Sequence, residues 1–214
     1  MAADLEEARY RCPACESKLY GWTAAHDPLD RGRRIVLDRC ETCGLAITRG
    51  PAPPDVDLEL APLLDGNSEG RIELTAPNRR SFQGGIGGAQ WAGLEPELRR
   101  LHLNPESLRL LLGERDLELV ELRTPYSGRS AKLMWQTLVN AFTLRDNFAR
   151  NARAGRIPRS TGGEKATYWL DWTVSALVAI PTAIVAYPLE ALAAAFGRGG
   201  VIEASARPRS EPRG

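Results

Sequence analysis

The chain has 214 residues, 43% hydrophobic and 26% charged, which suits one ordinary domain plus a small module and excludes fibrous, collagenous and wholly disordered chains. Its 28 Lys and Arg stand against 27 Asp and Glu, a net charge of +1, so the overall balance gives no reason to expect a nucleic-acid partner. The opening residues carry Asp4, Glu6, Glu7, Arg9 and Arg11 with no apolar run, unlike a cleavable secretory signal; a cytosolic, reducing compartment is expected, where closely spaced cysteines favour metal over disulfide.

All four cysteines lie in two pairs, Cys12-Pro-Ala-Cys15 and Cys40-Glu-Thr-Cys43, with 24 residues between them. A two-residue gap lets both thiolates of a pair turn toward one tetrahedral ion, and Gly44 supplies the left-handed turn such a knuckle needs. Four thiolates make a closed site, so Cys12, Cys15, Cys40 and Cys43 are expected to hold a structural Zn2+. His26, midway between the knuckles, is not needed as a ligand. The apolar runs Leu19 to Trp22 and Ile35 to Leu37 flank a turn at Asp27 to Gly32 and predict a hairpin closing a zinc ribbon over 1–50. A module this small needs the metal to fold.

From 51 to 70 four prolines and several acids, with no basic residue, mark a linker, with at most a short helix over Val56 to Leu64. Ile72 to Thr75 reads as a strand. Gly84 to Gly88 follows no strand and precedes no apolar helix, so it reads as a flexible surface loop and not as a cofactor loop. Asn104 and Pro105 open a helix that Gly113 ends. Leu117 to Leu122 alternates as a strand, and Val201 to Ala206 is another.

Between Lys132 and Phe148 apolar residues recur at three- and four-residue spacing, predicting one amphipathic helix packed on the core. The next stretch has Arg145, Arg150, Arg153, Arg156, Arg159 and Lys165 against Asp146 and Glu164. It reads equally as a solvated loop or as a segment held at an anionic membrane surface. Trp172 to Leu189 carries no formal charge, is bounded by Asp171 and Glu190, and begins beside Tyr168 and Trp169 in the manner of an interfacial belt. As a single helix it would be about 27 Å long, short for a bilayer core of about 30 Å. With Pro181 and Pro188 inside, it reads as a pair of apolar helices packed on a sheet or lying on a membrane surface. Residues 209–214 read as a disordered tail.

Several of these segments together resemble the second half of bacterial class I S-adenosylmethionine-dependent methyltransferases. The matching residues are Glu73-Leu74-Thr75-Ala76-Pro77-Asn78, Gly88-Ala89-Gln90-Trp91, His102 through Pro105 to Leu108, and Gly197-Arg198-Gly199-Gly200 with the strand that follows. Many such enzymes also begin with a Cys-x-x-Cys ribbon. The resemblance implies an α/β fold: a zinc ribbon followed by a small mixed three-stranded sheet covered by helices, a partial Rossmann-like half spanning 71–208. Its strands would be the fifth, sixth and seventh of the family's sheet, with Val201 to Ala206 in the centre.

The chain departs from the family where the chemistry sits. No acidic-x-Gly-x-Gly turn for the methyl donor and no ribose-binding carboxylate is present, and the linker stands where the cofactor-binding half would be. No S-adenosylmethionine site is therefore found. His102 is the one catalytic candidate, by its position near the substrate side in the relatives; its plainer reading is a helix-entry histidine beside Trp91. Arg99 stands where the family often has a second histidine.

These readings lead to a zinc-binding, methyltransferase-derived protein with a binding or structural role and no catalysis by itself. Two others stand beside it: a methyltransferase subunit completed by a partner chain, and a membrane-associated zinc-ribbon protein in the cytoplasm or at the inner face of the membrane. The strand at Ile72 to Thr75 has lost its neighbour. A homodimer or a second protein is expected to cover it, with peripheral membrane contact through Arg145 to Leu189.

Overall fold

A computed structural model of the chain describes residues 11–30, 32–50, 55–61, 64–66 and 71–209. Two small antiparallel sheets, each of four strands, are joined and flanked by helices. The first sheet begins with β1 (Leu19–His26) and β2 (Arg34–Cys40), the expected hairpin, paired from Leu19 with Cys40 to His26 with Arg34 around a bulge between Gly21 and Thr23. To it are added β3 (Ala46–Thr48) and, from far along the chain, the two-residue β6 (Leu101–His102).

After the linker helix α1 (Val56–Leu60) come β4 (Leu64–Gly66) and β5 (Ile72–Pro77). The second sheet is completed by β7 (Leu117–Arg123) and β8 (Val201–Pro208) in the order β4-β5-β8-β7. The last strand is central, as expected, but every pair is antiparallel, so the sheet is not mixed. It also has a fourth strand: β4 pairs Leu64 with Leu74 and Gly66 with Ile72, so a piece of the linker takes the edge assigned to a partner chain. A linker this close along the chain closes a short loop at small entropic cost.

The helices depart further from expectation. Gly84 to Gly88 is not a loop: α2 (Phe82–Gly87) is capped by Ser81, and Gly84 and Gly87 are close-packing positions where a Cβ would meet Arg79 O and Thr137 Cγ2, each at 2.6 Å. Helix α3 (Pro105–Gly113) begins as expected, with Asn104 as its cap. The long amphipathic helix over 132–148 is instead α4 (Gly128–Asn140), a turn, and α5 (Phe148–Arg153). Asn140 holds the turn by accepting from Asn147 N at 2.9 Å and donating to Gln90 O at 2.8 Å, while Asn147 takes a left-handed φ of 54°. Phe142 and Leu144, expected in the core, are exposed in that turn.

The two expected apolar helices are one, α6 (Gly162–Ala195), of 34 residues and so about 51 Å long. It starts at a Thr161/Glu164 capping box and stops where Gly197 turns left-handed at φ 68°. Pro181 and Pro188 lie inside it, seven residues apart and both exposed. Their missing amides and their rings fall on the outward side, where no packed neighbour is displaced. At the carboxyl end, Arg209 is not loose: its amide donates to Asp116 O at 2.7 Å. The rest of the tail, 210–214, lies outside the described residues, as do the prolines at 51–54 and 62.

One core serves both sheets. Leu45 and Ile47 of the ribbon pack with Leu74, Leu101, Leu108, Leu111 and Ile202, and the buried Cys12, Cys40 and Cys43 belong to the same cluster. A smaller cluster joins Ala25 and Leu37 to Trp91 and Leu94.

Candidate metal centre

The two cysteine pairs build two knuckles on the same plan. In the first, Cys12 O accepts from Glu16 N at 2.8 Å and Cys12 N donates to Ser17 O at 2.8 Å; in the second, Cys40 O accepts from Gly44 N at 2.9 Å and Cys40 N donates to Leu45 O at 2.8 Å. Each turn closes on a left-handed residue, Glu16 at φ 56° and Gly44 at φ 73°. Gly44 is the cheap solution to that requirement and Glu16 the costly one. The β1–β2 hairpin then sets Leu19 opposite Cys40 and so brings the knuckles face to face.

The four sulfurs lie within 4.8 Å of one another, with Cys12 to Cys43 and Cys15 to Cys40 both at 3.5 Å. A tetrahedron with metal–sulfur bonds of about 2.3 Å has sulfur–sulfur edges of about 3.8 Å, so the set fits a single tetrahedral ion. The amides of Ala14, Ser17 and Leu45 are directed at the sulfurs of Cys12, Cys15 and Cys43 and favour their thiolates. Burial nevertheless raises the Cys12 thiol well above its ordinary value and pushes Cys43 up to about 11. At Cys15 burial also raises the thiol, but hydrogen bonds from Ser17 outweigh it and leave it at about 7. A bound cation repays the burial of all four charges, and its binding displaces protons. From outside, Asn104 Nδ2 donates to Cys43 O at 3.0 Å, tying the second knuckle to the cap of α3.

His26 ends β1, exposed and outside this cluster. His102 is not at a helix entry but within β6, opposite Ala46, with Nε2 at 2.9 Å from Thr48 Oγ1. Burial first, then the positive charges of Arg99 and Arg79, depress its pKa to about 3, which keeps the ring neutral. The cavity beside it measures about 10 Å³, at the limit for a single water. Through its pairing with Ala46 and its contact with Thr48, His102 joins the ribbon to the rest of the chain.

The charged residues around the apolar stretch are also placed differently from their sequence reading. Arg145, grouped with the basic segment, is buried and pairs with the equally buried Asp171 at 3.2 Å, while Asp171 accepts from Leu144 N at 2.7 Å. Arg150 pairs with Glu95 and Glu97. Glu190 accepts from Gln83 Nε2 at 2.9 Å and Gly200 N at 2.7 Å, and burial raises its pKa above the usual carboxylate range. Gln83 also donates to Ser130 O and accepts from Trp91 Nε1, which locks α2, α4, α6 and the start of β8 together. Sequence reasoning missed this hub, since a lone glutamine in a glycine-rich stretch carries no periodic signal.

With Asp171 and Glu190 turned inward, the outward face of α6 runs uncharged through Trp169, Leu177, Ile180, Ile184, Leu192 and Phe196. Leu177, Ile180 and Ile184 are 72%, 72% and 69% exposed. Only 22% of the helix's most apolar 18-residue window is buried, and by length and composition the helix is long and apolar enough to cross a membrane. Comparison with known proteins gives no match to any family model, curated protein or solved structure.

Proposed function

We propose that the chain is a zinc-stabilised protein that sits on a membrane surface and acts by binding. The observation that carries this reading is the outward face of α6, apolar from Trp169 to Phe196 and about 40 Å long. Exposed patches of this extent mark interaction surfaces. The face lies along the helix rather than around it. Its other side is pinned to the folded body through Asp171, Thr182, Ala186, Glu190 and Ala193, all buried. Spanning a bilayer would draw the Arg145–Asp171 pair, Glu190 and α4 into hydrocarbon, whereas lying in the interface immerses only the apolar side. Tyr168, Trp169 and Trp172, with Arg153, Arg156, Arg159 and Lys165 nearby, supply the aromatic and basic border that anionic headgroups favour. Arg159 already stacks over Tyr168 at 4.7 Å.

Zinc is the metal this reading assigns to the four thiolates, in a closed and therefore structural site. The methyltransferase resemblance enters here as ancestry. The central place of the final strand in the order β5-β8-β7 agrees with that resemblance, while the wholly antiparallel pairing departs from the mixed sheet expected, and the missing glycine turn supports a chain without its own methyl donor. Calorimetric titration with S-adenosylmethionine is expected to give no binding; micromolar binding would restore the enzyme reading.

Vesicle flotation tests the membrane assignment. The wild type is expected to float with phosphatidylcholine vesicles and to be released by carbonate, and Leu177→Asp with Ile184→Asp to remain in solution while folded. Resistance to carbonate would favour the spanning arrangement. A failure to float, together with a lipid-independent dimer in light scattering that the same substitutions dissolve, would reassign the face to a protein partner.

A further inference from the structure

Between α4, α5 and α6 lie two adjoining cavities of about 340 and 530 Å³, which share Trp135, Gln136, Ala149 and Arg153. Both volumes fall in the range of small-molecule sites. Their chemistry differs from one end to the other. The first is walled by Val139, Phe148, Tyr168, Trp172 and Ala176, and its cations are confined to the shared Arg153. The second is rimmed by Arg129, Lys132, Arg150 and Arg153. Neither wall contains an acidic residue. Arg150 is already paired with Glu95 and Glu97, but Arg129, Lys132 and Arg153 have no carboxylate partner among the described residues. Ser175 Oγ, which lines the apolar cavity, is buried and without a hydrogen-bond partner.

We infer that this groove holds one anionic phospholipid, its acyl portion against Phe148, Trp172 and Ala176 and its phosphate between Arg129, Lys132 and Arg153. Three features select that occupant. Arg129, Lys132 and Arg153 line one end with no carboxylate partner among the described residues, which favours an anion. The other end is aromatic and aliphatic, which calls for a hydrocarbon portion in the same molecule and excludes free phosphate. Trp172 belongs to α6 just where its outward face begins, so the apolar cavity adjoins the surface proposed to meet the membrane. The unpartnered Ser175 hydroxyl matches an ester carbonyl between headgroup and chain. The inference rests on the membrane reading for the source of the lipid, but the groove itself is tested without a membrane.

Dihexanoyl phosphatidylglycerol and dihexanoyl phosphatidylcholine, both below their micelle concentrations, are titrated into the full chain and followed by tryptophan emission and calorimetry. The phosphatidylglycerol is expected to bind saturably, about tenfold or more tighter than the phosphatidylcholine, with inorganic phosphate failing to compete. Lys132→Glu with Arg153→Glu is expected to erase that preference, while the same change in charge at the exposed Arg34→Glu with Arg39→Glu leaves it intact. Equal affinity for the two lipids, competition by phosphate, or equal loss in both variants would overturn the proposal. Flotation separates this result from the membrane assignment. Wild type that floats on phosphatidylcholine but shows no preference in the monomer titration refutes the groove alone; preference in the titration without flotation refutes the membrane surface alone.

Discussion

The ribbon half and the helical half of this chain dispose of their apolar side chains in opposite ways. In the ribbon, Leu37, Leu45 and Ile47 are buried, and the four cysteine thiols cluster where a cation would satisfy them. In the helical half, α6 buries small and polar residues, Asp171, Thr182, Ala186, Glu190 and Ala193, and turns Leu177, Ile180, Ile184, Leu192 and Phe196 outward. One region gathers four thiols that a metal ion could complete from within. The other leaves an apolar face exposed along the helix.

Removal of the metal is the largest test of that contrast. A structural zinc contributes about 10–16 kcal/mol in small domains, comparable to or above the whole stability of an ordinary domain at about 5–15 kcal/mol. Because Leu45 and Ile47 share a core with Leu74, Leu108 and Ile202, chelation, or Cys12→Ser with Cys40→Ser, is expected to unfold both sheets in one transition. Metal analysis should give one zinc per chain. Near-ultraviolet circular dichroism that survives chelation, or a second sheet that stays folded, would separate the two halves.

The next effect distinguishes the two faces of α6. Asp171→Ala leaves Arg145 buried without its counter-charge and is expected to cost about 3–5 kcal/mol in urea unfolding. Gly200→Ala should also be severe, because its Cβ would lie within bonding distance of Gln83 Nε2, at 1.7 Å, and so break the bond to Glu190. On the outward face, Ile180→Ser or Ile184→Ser is expected to change stability in solution by less than about 0.5 kcal/mol. A large loss there would mean that the face is covered within the soluble protein.

A subtler test concerns pH. His102 has a pKa of about 3 when folded, against about 6.5 when unfolded, so the folded chain resists its protonation. Its contribution is complete above about pH 6.5 and is lost as the pH falls toward 3, with a slope of up to about 1.4 kcal/mol per pH unit. His102→Gln is expected to make the acid limb of a stability profile shallower by that slope. An unchanged acid limb would place the histidine in contact with water.

Legibility in the sequence tracked how local the determining interaction was. The knuckles were readable because their spacing, their turn residues and the hairpin between them all lie within 12–44, and the Asn104 cap and the three strands were readable for the same reason. The apolar spacing over 132–148 predicts one helix because it continues through a turn that only the Asn140–Asn147 contact reveals. His102 carried a chemical label from the resemblance, yet its neighbours Thr48 and Ala46 come from the ribbon, and they make it a packed strand residue.

By itself, then, the sequence determined the four-cysteine cluster, the hairpin between its pairs, the Asn104 cap and the strands β5, β7 and β8, because thiolate spacing, dihedral preference and alternation act between near neighbours. Only the tertiary structure decided three other matters: that the linker closes the β5 edge, that ribbon and sheet share a core, and that Asp171 and Glu190 face inward. Each depends on which distant surface an element meets. A charge at the boundary of an apolar run ends that run in the sequence, but turned toward Arg145 or Gln83 it leaves the outer face of α6 apolar from Trp169 to Phe196.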